Sequence, residues 1–179
     1  MLGNSLLLDT CVVIWLANGE PLPPEAKSAI VHAGLMDGMF VSTTSAWEIG
    51  FLSRPRPGRH PMVQCLPDPK TWFARFLAGP GIKEAPITPA IAIDASYLPG
   101  TFHADPMDRL IVATARHLGM PIVTSDRKII AYAEAGFVRP QCTRVFAFHA
   151  GGAHAEKVRQ QIDARGKNAR SGGQRIDGR

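Results

Sequence analysis

Short apolar runs alternate with helix-patterned stretches from residue 5 to residue 148, and that alternation admits few folds. Leu6-Leu7-Leu8 is a continuous apolar run and reads as a buried strand over 5–9. Further strands are predicted over 39–43, 121–124 and 143–148, with a weaker one over 82–87. Helical patterns fill the gaps, over 10–18, 23–35, 46–53, 70–77, 89–97, 105–117 and 126–135. Strands that alternate with helices pair in parallel, because each crossover returns the chain to the same sheet edge. The expected class is α/β: a three-layer α/β/α domain with a central parallel sheet of about five strands.

Local signals set the element ends. Gly19 can stop the first helix, and Pro23-Pro24 opens the second, where the missing N–H costs nothing. Ser45 is read as the N-cap of the third helix, with Glu48 three residues on completing a capping box. Trp72, Phe73 and Phe76 share one helical face. The clearest helix follows Asp105-Pro106, a good cap and a good first residue, and ends at Gly119.

The remaining sequence narrows the class. The chain has 179 residues, 45% of them hydrophobic and 20% charged, which suits one folded domain plus a tail. No run reaches the roughly 18–20 apolar residues that span a bilayer, so no membrane association is expected. The apolar stretch 6–15 lacks a basic start and is interrupted by Asp9, so it is not read as a signal peptide. Cys11, Cys65 and Cys142 are scattered, without zinc-ligand or disulfide spacing. Cys11 and Cys142, in apolar runs, are read as small core residues, and a reducing cytoplasm is the simpler location. Residues 1–149 are expected to form the domain. Residues 150–179, rich in Gly, Arg and Gln, hold seven basic residues against three acids and are expected to be a basic, disordered tail. The loop at 54–69 is proline-rich and basic. The net charge of +5 permits a polyanionic partner.

The acids stand out against this frame. Asp9 closes strand one, Glu48 lies a turn beyond strand two, and Asp126 follows strand four. Asp108 sits in the first turn of the helix capped by Asp105. In an open parallel sheet the carboxyl ends of the strands share one edge, where ligand sites form. The four carboxylates can therefore converge. Unscreened, they would repel one another and take up protons. A hard cation with oxygen-only ligands, Mg2+ or Mn2+, removes that cost, and such a site is apparatus for phosphodiester hydrolysis. Each acid also has a plainer use, as a helix cap or a first-turn charge, so the force lies in the joint pattern. Asp105 is read as a structural cap before a ligand. His103, beside it, is read as loop structure. No nucleophile elbow or phosphate-binding glycine loop is present.

Four segments resemble one family. Ser5-Leu-Leu-Leu-Asp9-Thr10 resembles the opening strand of PIN domains, and Ser45-Ala-Trp47-Glu48-Ile49 their second motif. The stretch from His103 through Asp105-Pro106-Met-Asp108-Arg109 to Ala115 is similar to the third, and Ile122-Val-Thr124-Ser-Asp126 to the fourth. Together they span about residues 4–148 and resemble especially the VapC toxins of type II toxin–antitoxin pairs. The resemblance implies an Mg2+- or Mn2+-dependent endoribonuclease acting on RNA such as tRNA or rRNA. It implies a VapB-like antitoxin as partner and pairing of the toxin as a homodimer. Asp9, Glu48, Asp108 and Asp126 would be the catalytic and metal-site acids, with Thr10 and Thr124 as supporting hydroxyls. Two alternatives stay open: a PIN nuclease in RNA processing outside a toxin pair, and a PIN-like module that binds RNA or protein without catalysis. The long loop at 54–69 and the basic tail depart from the compact toxin pattern.

Overall fold

A computed structural model describes residues 4–55, 57, 61–138 and the backbone of 146–147. Its centre is β1 (Leu6–Leu8), where three consecutive leucines leave no polar side chain to face water. Parallel pairing joins β1 to β2 (Met39–Ser42) on one side and to β4 (Ile122–Thr124) on the other. Beyond them lie β3 (Ile82–Ala85) and β5 (Phe146–Ala147), giving the order β3-β2-β1-β4-β5 with every pair parallel. The expected α/β sheet of about five parallel strands is present. The weakly patterned β3 is an edge strand, and Lys83 and Glu84 on it are exposed.

Among the described residues seven helices cover the sheet: α1 (Thr10–Ala17), α2 (Pro24–Leu35), α3 (Thr43–Leu52), α4 (Pro69–Leu77), α5 (Pro89–Ser96), α6 (Pro106–Leu118) and α7 (Arg127–Glu134). The pleat sorts them. Successive side chains on a strand point to opposite faces, so Leu6 and Leu8 pack with α1–α4 while Leu7 packs with α5–α7. Val123 joins the first cluster and its neighbour Ile122 the second. Two cores, one on each face, make the three layers. Burying an aliphatic side chain of this size contributes about 1.5–3 kcal/mol, so the leucine strand anchors both cores.

Capping follows the sequence signals in most places. Asp105 accepts the Met107 N–H at 3.0 Å, Pro106 is the first residue of α6, and Gly119 ends it in a left-handed conformation (φ 67°). The exception is α3. β2 ends at Ser42, and the chain turns there, so Ser42 is the cap and accepts the Thr44 N–H at 3.2 Å. Ser45 is therefore inside the first turn and Glu48 in the second. The capping box expected between them does not form, and both side chains turn inward as buried groups.

The loop after α3 is partly described. The Met62 N–H donates to Leu52 O at 3.0 Å, and Val63 and Cys65 are buried beside α3 and α4. Cys11 is buried as expected, and Cys142 and the tail at 150–179 lie outside the described residues. Among the described residues no helix is long and apolar enough to cross a membrane.

Candidate functional site

The strand order reverses direction between β1 and β4, and an open parallel sheet leaves a crevice at the carboxyl ends of such strands. Asp9 follows β1 directly, and Asp126 lies two residues past the end of β4. Asp9, Thr10, Cys11, Glu48, Asp108, Ser125 and Asp126 line one small pocket there. The four acids come from four separate segments of the chain. They are 3–7% exposed, so they meet in a largely desolvated place.

Neighbouring groups hold each carboxylate. Asp9 caps α1: its Oδ1 accepts the Thr10 N–H at 2.7 Å. Its Oδ2 accepts from the Thr124 hydroxyl at 2.5 Å and from the Cys11 thiol at 3.2 Å. The Thr10 hydroxyl donates to Glu48 Oε2 at 2.6 Å, and Ser45 Oγ lies 2.9 Å from that same hydroxyl. Asp126 caps α7, accepting the N–H groups of Lys128 and Ile129 at 2.6 and 3.3 Å, while its own N–H donates to Thr124 Oγ1 at 2.9 Å. Capping and convergence are thus compatible uses of Asp9 and Asp126. Asp105 caps α6 and does not line the pocket.

Electrostatics mark the acids as crowded. Burial raises the Asp9 pKa above the ordinary 3.8, and the nearby Asp126 charge raises it further, partly offset by the Thr124 hydrogen bond. Burial also pushes Asp108 well above 3.8, and Asp9, Asp105, Asp126 and Glu48 all add to that. Burial and the Lys128 charge lower the His103 pKa, favouring the neutral imidazole. Burial keeps Cys11 a thiol, with Asp9 adding to the effect.

A divalent cation fits this donor set. The acid donors are hard oxygens, the cavity of about 10 Å3 is the size of one water-sized sphere, and the mutual repulsion is of the kind a cation relieves. Among the described residues no group of three or more His, Cys, Asp or Glu side chains is already arranged to hold an ion. Loading would therefore require the carboxylates to turn toward one another.

Sequence reading missed two residues that bear on the site. His103 Nε2 lies 3.3 Å from Asp108 Oδ2. Its place in the loop before an Asp-Pro helix start was a signal, because that start folds the loop back over the first turn. Arg109 gave no local signal. It is tied to the backbone: Nε donates to Ala95 O at 2.7 Å, Nη2 to Ser96 O at 3.1 Å, and Nη1 to Phe102 O and His103 O at 3.4 and 3.3 Å. Ser45, read from the sequence only as a helix cap, and Ser125, quoted in a motif without a role, also contribute hydroxyls at the site.

With sheet order, switch point and acid pocket in place, the class is defined. Residues 6–135 match the family model described as PIN domain, and the chain belongs to the PIN-domain family. Its type within the family is VapC. Ribonuclease VapC22 of Mycobacterium tuberculosis is 32% identical over 127 residues, which are 70% of this chain and 90% of that relative. The crystal structure of VapBC2 from Rickettsia felis bound to a DNA fragment from their promoter has the same fold. Its TM-score is 0.53 at 13% identity, over 75% of this chain and 95% of that one.

Proposed function

We propose that the chain is a metal-dependent endoribonuclease and the toxin of a VapBC-type pair, acting in the cytoplasm on an RNA such as tRNA or rRNA. The observation that carries this reading is the desolvated pocket into which four chain segments deliver Asp9, Glu48, Asp108 and Asp126. A packed domain gains nothing in stability from four buried like charges, so a cation that they share explains them. The Mycobacterium tuberculosis relative is a ribonuclease by name, which supports that activity here. The Rickettsia felis protein of the same fold is held in a VapBC complex, which supports a VapB-like antitoxin as partner. A homodimer is part of the same reading.

In this scheme Asp9, Glu48, Asp108 and Asp126 hold Mg2+ or Mn2+. When bound, the ion supplies Lewis-acid activation of water and neutralises charge on the phosphate. The protein's own residues set the geometry. Thr124 fixes Asp9 from the β4 side, Thr10 fixes Glu48 from the α1 side, and the N–H groups that Asp126 caps keep that carboxylate at the start of α7. The test is cleavage of a panel of cellular RNAs by the purified chain with Mn2+ and with excess EDTA. Cutting that requires Mn2+ and stops in EDTA supports the reading, and equal cutting in EDTA overturns it.

A further inference from the structure

We propose that His103 is a positioning residue for Asp108: its Nε2–H holds Asp108 Oδ2, fixing the rotation of that carboxylate and leaving the other oxygen for the ion. The inference rests on the metal-site reading of Asp108 and adds a named group to it.

The tautomer follows from the neighbours. The Asp105 N–H donates to His103 Nδ1 at 3.4 Å, so Nδ1 is the acceptor and the ring proton sits on Nε2. Nε2 is buried and has no partner in hydrogen-bond alignment among the described residues. The Asp108 Oδ2 atom stands 3.3 Å from it. A small turn of the carboxylate completes the bond, and loading of the pocket already calls for such turns.

The imidazole is itself held in place. The Phe102 ring packs on it with centroids 4.2 Å apart, and Phe102 packs in turn on Tyr132 at 4.6 Å. The Arg109 guanidinium grips the carbonyls of both Phe102 and His103. Arg109 follows Asp108 on α6, so one helical turn carries the carboxylate and the clamp that sets the imidazole over it. Carboxylates that ligate metals are in turn hydrogen-bonded, and such supporting partners typically matter about 10–100-fold in metal affinity or activity. His103 fills that role for Asp108, as Thr124 does for Asp9.

Two variants separate the hydrogen bond from the packing. His103→Phe keeps an aromatic ring against Phe102 but loses the donor. His103→Gln loses the ring but places an amide N–H near the position of Nε2. Mn2+ affinity, measured without RNA by calorimetry or by the electron paramagnetic resonance signal of free Mn2+, should fall about 10–100-fold in His103→Phe. His103→Gln should recover most of that loss, even where its melting temperature is the lower of the two. Wild-type Mn2+ affinity in His103→Phe overturns the proposal, and so does equal loss in both variants. If the wild-type chain binds no Mn2+, the metal-site reading itself fails and this inference falls with it. Normal wild-type binding with an unaffected His103→Phe sinks this inference alone.

Discussion

Thr124 Oγ1 donates to Asp9 Oδ2 across 2.5 Å, joining the end of β4 to the end of β1 at the sheet's switch point. The same oxygen accepts the Asp126 N–H, so one hydroxyl sets two of the four acidic residues. Thr124→Val keeps the shape and removes both functions. Mn2+ affinity should fall about 10–100-fold, and stability by about 1–3 kcal/mol for the unsatisfied buried groups. Thr124→Ser should restore most of the affinity. Calorimetric Mn2+ titration beside thermal melts checks this, and unchanged affinity in Thr124→Val would contradict it.

Asp108→Asn should separate stability from activity. The substitution removes a buried charge that Asp9, Asp105, Asp126 and Glu48 all oppose. In EDTA the variant should melt at or above the wild-type temperature, because desolvation and repulsion are relieved. RNA cleavage should drop by at least about 100-fold, since losing a ligand is no milder than losing its supporting partner. Asp105→Asn should change little, because asparagine also caps helices, whereas Asp105→Ala costs about 1 kcal/mol of stability. A strongly destabilised Asp108→Asn would mean that this carboxylate is structural.

The raised pKa values of Asp9 and Asp108 set the pH response. A carboxyl whose pKa rises on folding binds its proton more tightly in the folded chain than in the unfolded one. The stability from this source is complete below the ordinary 3.8 and is lost as pH rises through the raised values. Metal competes for the same oxygens and gains as the protons leave. The melting-temperature gap between saturating Mn2+ and EDTA should therefore widen over a pH window that runs upward from the ordinary 3.8 through the raised values. A gap that stays constant over that window would remove Asp9 and Asp108 from the metal site.

Removing residues 151–179 should leave the melting temperature of the body within about 2 °C, less than a loss of about 1 kcal/mol would shift it. The match to the PIN-domain model ends at residue 135, and the segment lacks the apolar periodicity of a core-forming element. The segment carries a net +4, so RNA binding at low salt should weaken and its salt dependence should flatten. Filter binding across a salt series measures both, and a large fall in melting temperature would show that the tail packs on the body.

The meeting of the four acids in one pocket was legible because each acid interrupts or follows a strong local pattern. Asp9 after three leucines and Asp126 after Ile122-Val123-Thr124 cannot be explained by the strands they follow, and a parallel sheet brings such positions to one edge. Asp105 and Pro106 announced α6, and with it Asp108. What escaped was set by distance along the chain. The start of α3 depended on where β2 stopped pairing with β1 and β3, so Ser42 took the cap that local spacing assigns to Ser45. The Arg109 clamp joins carbonyls at positions 95, 96, 102 and 103, and backbone acceptors leave no mark in side-chain identity. Thr10 meeting Glu48 across 38 positions likewise follows from the packing of α1 against α3.

The products should discriminate between two chemistries. Making the RNA 2′-hydroxyl attack requires a base beside it and an acid at the leaving oxygen, and a histidine pair usually supplies them. Among the described residues the lining of the pocket holds carboxylates, hydroxyls and one protonated thiol, and no histidine or lysine. His103, whose imidazole faces Asp108, has its Nδ1 engaged by Asp105 and its Nε2 turned to Asp108. Water is then the attacking group, in line with the departing 3′ oxygen. The fragments should carry 5′-phosphate and 3′-hydroxyl ends. Ligation-based mapping of fragments made by the pure protein in Mn2+ reads this directly, because a 5′-phosphate ligates without kinase treatment and a 2′,3′-cyclic phosphate does not accept an adapter. Predominant cyclic phosphate ends would assign the cleavage to an internal base and leave Asp9, Glu48, Asp108 and Asp126 without the role proposed for them.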